Sequence, residues 1–148
     1  MSRLLQKITF FFSSLFLQKE KSTSKVKSLK ISDDIILNVM DRLSDFEHTQ
    51  GYLKPMTLQK LAKKLKTNPK YLSRIINNHY EKNFSSYIND LRINYVLKEL
   101  ETDTSLRKNT VKALAKKLGF GNTESFAKTF KKHTGVNPSN YLNILNRN

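Results

Sequence analysis

The pentapeptide LAKKL occurs twice in this sequence, at residues 61–65 and again at residues 114–118, 53 positions later. Beyond it the copies match at an offset of 54, so the second copy has one extra residue between the pentapeptide and the later matches. These matches pair Arg74 with Lys128, His79 with His133, Asn83 with Asn137, Ser85 with Ser139, Tyr87 with Tyr141 and Asn89 with Asn143. A duplicated basic unit suggests two similar contacts with one repetitive, negatively charged ligand, for which DNA is the leading candidate.

Positive charge is concentrated in the two copies. The 148 residues include 27 lysines and arginines against 12 acidic residues, a net charge of +15. Residues 51–79 have seven basic side chains and no acidic one, and residues 110–148 have seven basic and one acidic. Residues 80–109 balance at five each, whereas residues 31–50 have five acidic residues and one basic residue. A uniform solubilising charge would not be distributed in this way, so the composition favours a polyanionic partner.

The sequence contains no pattern typical of a catalytic or metal site. It has no cysteines, which excludes disulfides and thiolate ligands. His48, His79 and His133 lie far apart without metal-ligand spacing, so each is expected to be a surface or cap residue. No Ser/His/Asp order, pair of carboxylates or glycine-rich phosphate loop is evident. We therefore expect no enzymatic activity, no cofactor and no metal.

Residues 1–31 form an apolar segment followed by a basic linker. The apolar run covers residues 4–17, with Lys7 inside it. A membrane-spanning helix needs about 20 apolar residues, so this run is short. A signal peptide without its cleavage site and the end of a longer span are the other interpretations. Membrane association through residues 4–17 stays open, and we expect a cytoplasmic protein with a candidate tether to the inner membrane.

Hydrophobic periodicity predicts an all-α fold with two helix-turn-helix subdomains, a long linker helix and an extra N-terminal helix. Residues 32–50 form a connecting acidic helix, from about Asp33 to His48, with Ser32 as its N-cap. The remaining elements are a helix-turn-helix at 57–80, the linker helix at 83–101, a second helix-turn-helix at 110–134 and a C-terminal helix at 137–146. Capping side chains are expected at Thr57, Asn68, Asn83, Thr110 and Asn122.

Each copy reads as helix, short turn, helix, the unit whose second helix enters the major groove of DNA. The two recognition helices are then residues 69–79 and 122–134. The linker helix has about 18 residues and a length of roughly 27 Å. Its apolar residues are Phe84, Tyr87, Ile88, Leu91, Tyr95, Val96 and Leu100. Adjacent major grooves on one side of B-DNA lie about 34 Å apart. The linker helix therefore has the right length to set this spacing, so that one chain could read two adjacent major grooves of DNA.

The exposed sides of the recognition helices supply the candidate site residues. The base-facing candidates are Lys70, Tyr71, Ser73, Arg74, Asn77, Thr123, Glu124, Ala127 and Lys128. Arg74 and Lys128 suit the O6 and N7 acceptors of guanine, and Asn77 suits adenine. Glu124 either accepts from a cytosine amine or complements the helix dipole. The phosphate-contact candidates are Lys63, Lys64, Lys116, Lys117, Asn122, Lys131 and Lys132. The alternative for the lysines is a solvated face.

The second copy resembles the signature of the AraC/XylS family of bacterial transcription regulators. The resemblance rests on Ala115, Gly119-Phe120, Phe126, Phe130-Lys131, Gly135, Pro138 and Tyr141. The first copy is similar more loosely, through Leu58, Ala62, Leu72, Arg74, Phe84 and Tyr87-Ile88. The resemblance covers residues 51–146 and implies an AraC-type domain that binds double-stranded promoter DNA, with RNA polymerase as a candidate second partner. Many members also have a separate ligand-binding or dimerisation domain, for which residues 1–50 are too short.

Two other function classes compete with this interpretation. A membrane-surface adaptor would use lysines to bind anionic lipid, and it predicts charge clustered beside residues 4–17. Part of the positive charge lies beside residues 4–17, but lipid binding does not explain two lysine-rich units 53 residues apart. A nonspecific nucleic-acid-binding adaptor is the third class. The varied polar residues around Arg74 and Lys128 argue against it.

Overall fold

The computed structural model describes residues 31–147, which form seven α-helices and two short 3₁₀ turns, without a strand in this part of the chain. The α-helices are α1 (Asp33–His48), α2 (Leu58–Lys64), α3 (Pro69–Tyr80), α4 (Phe84–Thr102), α5 (Val111–Lys117), α6 (Thr123–Thr134) and α7 (Pro138–Arg147). The 3₁₀ turns are Gly51–Leu53 and Leu106–Lys108. The predicted all-α fold is confirmed: α2–α3 form a first unit and α5–α6 a second, joined by α4. Residues 1–30, with the apolar run at 4–17, lie outside the described residues.

The predicted helix caps are in place at the starts of α2 to α6. Each capping side chain accepts a hydrogen bond from the backbone N–H three residues later, as Asn68 does from Tyr71 at 2.8 Å. The others are Thr57, Asn83, Thr110 and Asn122. The prediction for Ser32 is wrong in one respect, because it occupies the N-cap position of α1 but its hydroxyl makes no capping bond. The carboxylates of Asp33 and Asp34 in the first turn supply the favourable charge there.

The described chain has two hydrophobic cores, and α4 contributes to both. Tyr87 and Ile88 lie in the first core with residues of α1 to α3. Ile93 lies in the second core with residues of α5 to α7. Leu53 and Tyr95 pack against both cores and therefore connect them. The two units are thus held together by packing as well as by the linker helix.

The buried side of α4 differs from the predicted one. Ile93 is fully buried although the sequence did not single it out, whereas Leu91 and Tyr95 are only half-buried. The cause is that two units pack against different sides of the helix. Its apolar residues therefore do not form the single stripe that amphipathic periodicity assumes.

The turns of the two units have the same backbone geometry. Lys66 and Gly119 both have a positive φ, 53° and 77°. The next N–H in each unit, that of Thr67 or Phe120, donates to a carbonyl of the preceding helix at 3.0 Å. This is the hydrogen-bond pattern of a Schellman motif. Because Asn68 and Asn122 then cap α3 and α6, the extra residue of the second copy is Gly121.

Candidate nucleic-acid interface

Helix α3 buries one side and presents the predicted residues on the other. Leu72, Ile75 and Ile76 are at most 2% exposed and hold the helix against the first core. Lys70 and Asn77 are exposed. The other predicted base-facing residues of this helix are half-buried: Tyr71, Ser73 and Arg74. The helix has no acidic residue, so the side facing away from the core is polar and basic.

Helix α6 repeats this arrangement with different side chains. Phe126 and Phe130 are at most 1% exposed and anchor the helix in the second core. Glu124 and Lys128 are exposed, and Thr123 and Ala127 are half-buried. Glu124 lies in the first turn of the helix, where both of its predicted roles remain compatible with its position. None of the predicted base-facing residues on either helix is buried.

The predicted phosphate contacts are all exposed, but some have contacts within the protein. They are Lys63, Lys64, Lys116, Lys117, Asn122, Lys131 and Lys132. The Lys64 ammonium lies 5.6 Å from the ring centroid of Phe46 in α1. The side-chain oxygen of Asn122 accepts from Ser125 N–H at 2.7 Å. Its amide N–H groups are the donors suited to a phosphate.

Lys117 lies close to a carboxylate at the end of α4. The hydroxyl of Ser105 donates to Asp103 Oδ1 at 2.6 Å, and the N–H of Leu106 donates at 3.1 Å. These hydrogen bonds lower the pKa of Asp103, and the charge of Lys117 adds to the effect. The negative charge is therefore fixed beside one of the predicted phosphate-binding lysines.

Helix α1 braces the first unit at two points that the sequence analysis did not identify. Arg42 Nη1 donates to the carbonyl of Leu65, at the C-cap of α2, at 2.7 Å. Glu47 Oε1 accepts from the hydroxyls of Tyr80 at 2.9 Å and Tyr87 at 2.7 Å. Burial raises the pKa of both tyrosines, and the negative charge of Glu47 raises them further. Both phenols therefore stay protonated donors.

Arg92 of α4 is the buried charged residue of the described chain, at 6% exposure. Its Nε donates to the carbonyl of Tyr52 at 2.7 Å and its Nη2 to the carbonyl of Lys54 at 3.1 Å. Its guanidinium carbon lies 5.1 Å from the ring centroid of Phe120. Burial lowers the pKa of Arg92 to about 10, so the group is charged at neutral pH. The available sequence signal was a charge among apolar residues, four positions after Ile88 and four before Val96.

A polar cluster ties the end of α6 to the linker helix. His133 Nε2 lies 2.8 Å from Asp90 Oδ1, and Lys82 Nζ lies 2.5 Å from Asp90 Oδ2. His133 Nδ1 is 2.9 Å from the carbonyl of Thr129. The spacing of the histidines predicts a surface or cap residue at His133, and the structure gives it a partner on α4.

Within residues 31–147, no group of three or more histidine, cysteine or acidic side chains is arranged to hold a metal ion. No helix in the same part of the chain is long and apolar enough to cross a membrane.

Comparison with known proteins identifies the family. The sequence model described as "Helix-turn-helix domain" matches residues 61–144, which include the last turn of α2 and all of α3 to α6. The chain belongs to the AraC-type helix-turn-helix family. It is 32% identical over 104 residues to a Bacillus subtilis (strain 168) protein named "Uncharacterized HTH-type transcriptional regulator YtdP", a match covering 70% of this chain and 13% of that protein. The matches span only 13–36% of the curated relatives' lengths.

Solved structures share this AraC-type fold. A Listeria innocua protein described as having unknown function superposes with a TM-score of 0.60 at 29% identity, covering 72% of this chain and 95% of that one. The DNA-binding domain of AdpA, solved in complex with a target DNA, superposes with a TM-score of 0.56 at 17% identity. That match covers 76% of this chain and 93% of the AdpA chain, and it shows the fold.

Proposed function

We propose that this AraC-type chain is the sequence-specific DNA-binding part of a transcription regulator, and that α3 and α6 enter adjacent major grooves of promoter DNA. The observation that carries the proposal is the pair of second helices, each with a buried apolar side and an accessible polar, basic side. Helix α4 has 19 residues and is therefore about 28 Å long at 1.5 Å per residue. This length is suited to placing α3 and α6 in adjacent major grooves, which lie about 34 Å apart. The AdpA domain binds DNA with the same fold.

The proposed roles separate base reading from backbone contact. Arg74 and Lys128, equivalent in the repeat, read guanine, and Asn77 reads adenine. Their neighbours complete the base-facing surface: Lys70, Tyr71, Ser73, Thr123, Glu124 and Ala127. Ala127 can only contact a thymine methyl group. The lysines at 63, 64, 116, 117, 131 and 132, with Asn122, contact phosphates and position the protein.

The proposed partners beyond promoter DNA are RNA polymerase, which acts on the same DNA, and a membrane. Residues 4–17 are apolar and are followed by a lysine-rich segment, which supports a tether on the cytoplasmic side of the inner membrane. Cell fractionation of the full chain and of a chain lacking residues 4–17 tests the tether. Recovery of both in the same fraction contradicts it.

The test of DNA recognition begins with selection of binding sites from random duplexes. We expect Arg74→Ala to cost about 1–3 kcal/mol on the selected site and to relax the base preference at one position. Lys132→Ala is the matched control. It should weaken all sequences about equally and lower the dependence of affinity on salt by about one ion.

Three outcomes would contradict the proposal or one of its residue roles. Equal weakening of selected and random DNA by Arg74→Ala means that this residue does not read a base. Selection without any enriched sequence favours the nonspecific nucleic-acid adaptor. Binding of the full chain to vesicles with anionic lipid, but not to DNA, favours the membrane-surface adaptor.

A further inference from the structure

We propose that Arg92 is the positioning residue that fixes the relative placement of the two recognition helices, and that it thereby sets which separation of two half-sites the protein accepts. The inference rests on the proposed function, because it assumes that α3 and α6 read two parts of one DNA site. It assigns to a buried residue of the linker helix, on neither recognition helix, a role in DNA specificity.

Arg92 is hydrogen-bonded to the joint loop, which we define as residues 51–56. The carbonyls of Tyr52 and Lys54 accept from Nε and Nη2 of the same guanidinium, at 2.7 and 3.1 Å. Arginine presents its donors in a rigid planar fork, so two such bonds fix both the position and the orientation of the loop on α4. A lysine at this position would keep the charge but not the fork.

The same loop also contacts the second unit. The ring centroid of Phe120 lies 5.1 Å from the Arg92 guanidinium. Gly119 comes so close to the loop that a Cβ atom would lie 2.6 Å from the carbonyl oxygen of Leu53. Gly119 and Phe120 lie in the turn between α5 and α6, and only Gly121 and the N-cap Asn122 separate them from α6. Holding this turn therefore holds the start of the second recognition helix.

The joint loop is also continuous with the first unit. The loop ends at Thr57, the N-cap of α2. Within the loop, the Tyr52 ring meets Phe46 of α1 and Tyr95 of α4 edge-on, with centroid distances of 6.4 and 6.3 Å. Leu53 packs against the cores of both units. One guanidinium thus orders a segment that contacts both units.

Because of the geometry of DNA, a fixed joint loop restricts the separation of the two half-sites that the protein can bind. A helical turn of B-DNA has about 10–10.5 base pairs in 34–36 Å, so one added base pair moves a half-site by about 3.4 Å and rotates it by about 35°. A fixed pair of recognition helices cannot follow such a rotation without losing contacts at one half-site. If the joint loop is no longer fixed on α4, α6 can follow the rotation of the half-site.

The experiment uses the full chain and a duplex with the two selected half-sites, at the selected spacing and with one base pair added or removed. Wild-type protein should lose about tenfold to hundredfold in affinity for the altered spacings, the loss expected for one or two unread base pairs. In Arg92→Met, which keeps an apolar stem but no donors, we expect the loss to shrink to less than about threefold. Arg92→Lys should give an intermediate loss.

Arg42→Met is the matched control. Arg42 also donates to a backbone carbonyl, that of Leu65, but this bond joins α1 to the end of α2 and involves no residue of the joint loop. We expect this variant to lose stability while keeping the wild-type preference for spacing. Thermal unfolding of each variant separates loss of fold from loss of preference, and Arg92→Lys decides the question if Arg92→Met does not fold.

The outcomes distinguish this inference from the proposed function. If Arg92→Met and Arg92→Lys keep the wild-type loss at altered spacings, or Arg42→Met flattens it equally, Arg92 does not set the spacing. In both cases the proposed function stands. A selected site with only one half-site overturns the use of two adjacent grooves, and this inference with it.

Discussion

The two helix-turn-helix units share a backbone plan but place different residues at its left-handed positions. After the first helix of each unit, φ is 53° at Lys66 and 77° at Gly119. After the recognition helices, φ is 55° at Glu81 and 79° at Gly135. A left-handed conformation costs a residue with a side chain about 1–2 kcal/mol. Because Lys66 tolerates the turn, the turn alone does not demand glycine at 119; the nearby backbone of Leu53 does.

The units also differ in how their tyrosines are held. Tyr87 of the first copy donates to Glu47 of α1 at 2.7 Å. Tyr141, its counterpart, packs against Phe130 with a centroid distance of 5.2 Å, and within residues 31–147 its hydroxyl donates no hydrogen bond. The first unit is thus braced by a polar contact from the preceding helix, whereas the second is braced by aromatic packing from the following one.

The largest expected effect is that of Gly119→Ala. The new Cβ would lie 2.6 Å from the Leu53 oxygen and 2.9 Å from its carbonyl carbon, both backbone atoms that cannot move alone. Left-handed strain and overpacking together should lower the free energy of unfolding by about 2–4 kcal/mol. Urea unfolding followed by circular dichroism measures the loss.

Gly135→Ala is the matched control for that change. Gly135 has nearly the same φ, but nothing lies within 4 Å of its added Cβ. We therefore expect only the conformational cost, about 1–2 kcal/mol. Equal losses for the two variants would show that the approach of Leu53 does not matter and that the two turns are equivalent.

Some features of the fold could be predicted from the sequence, and others depend on contacts between distant residues. The repeat is visible as identical residues at offsets of 53 and 54. The caps and the exposed sides of α3 and α6 follow from local spacing, because each depends on residues within one or two helical turns. Arg92 and Glu47 have partners 40 positions away, so local spacing could not identify those partners, even though the charge of Arg92 stands out among apolar residues. The extra residue could be placed at Gly121 only from the hydrogen bonds of the two turns.

In the candidate site, too, some features could be predicted from the sequence and others could not. Buried Leu72 and Phe126 determine which sides of the recognition helices face away from the cores, and periodicity predicts both. The contact of Lys64 with Phe46 was not predictable, because the ring belongs to another helix whose packing angle the sequence does not specify.

The second prediction tests the difference between the tyrosines. Tyr87→Phe removes a hydrogen bond to a carboxylate and should lower the free energy of unfolding by about 1.5 kcal/mol at pH 7. Tyr141→Phe removes a hydroxyl without such a partner and should cost less. The same urea experiment measures both, and equal losses would contradict the distinction between polar and aromatic bracing.

Measurements at alkaline pH test the contribution of Tyr87 to stability independently. Burial raises the pKa of Tyr87 in the folded protein, whereas the unfolded chain releases that proton near pH 10. The unfolded state therefore binds fewer protons above pH 10, and stability falls as pH rises. Between pH 9 and pH 11 this tyrosine alone should account for about 1.4 kcal/mol of the fall. Tyr87→Phe should lose less stability over that range than the wild type, and an equal fall would contradict the role of Tyr87.

The smallest effect is expected at the turn of the first unit. Lys66→Gly relieves the left-handed strain of about 1–2 kcal/mol, and the greater freedom of glycine in the unfolded chain offsets part of the gain. A net stabilisation of about 0.5–1 kcal/mol should remain, measurable by urea unfolding. Lys66→Ala removes most of the same side chain but keeps the Cβ atom, so it should not stabilise. If the two variants are equally stable, the first turn carries no strain at Lys66, and the glycine of the second turn is no advantage in itself.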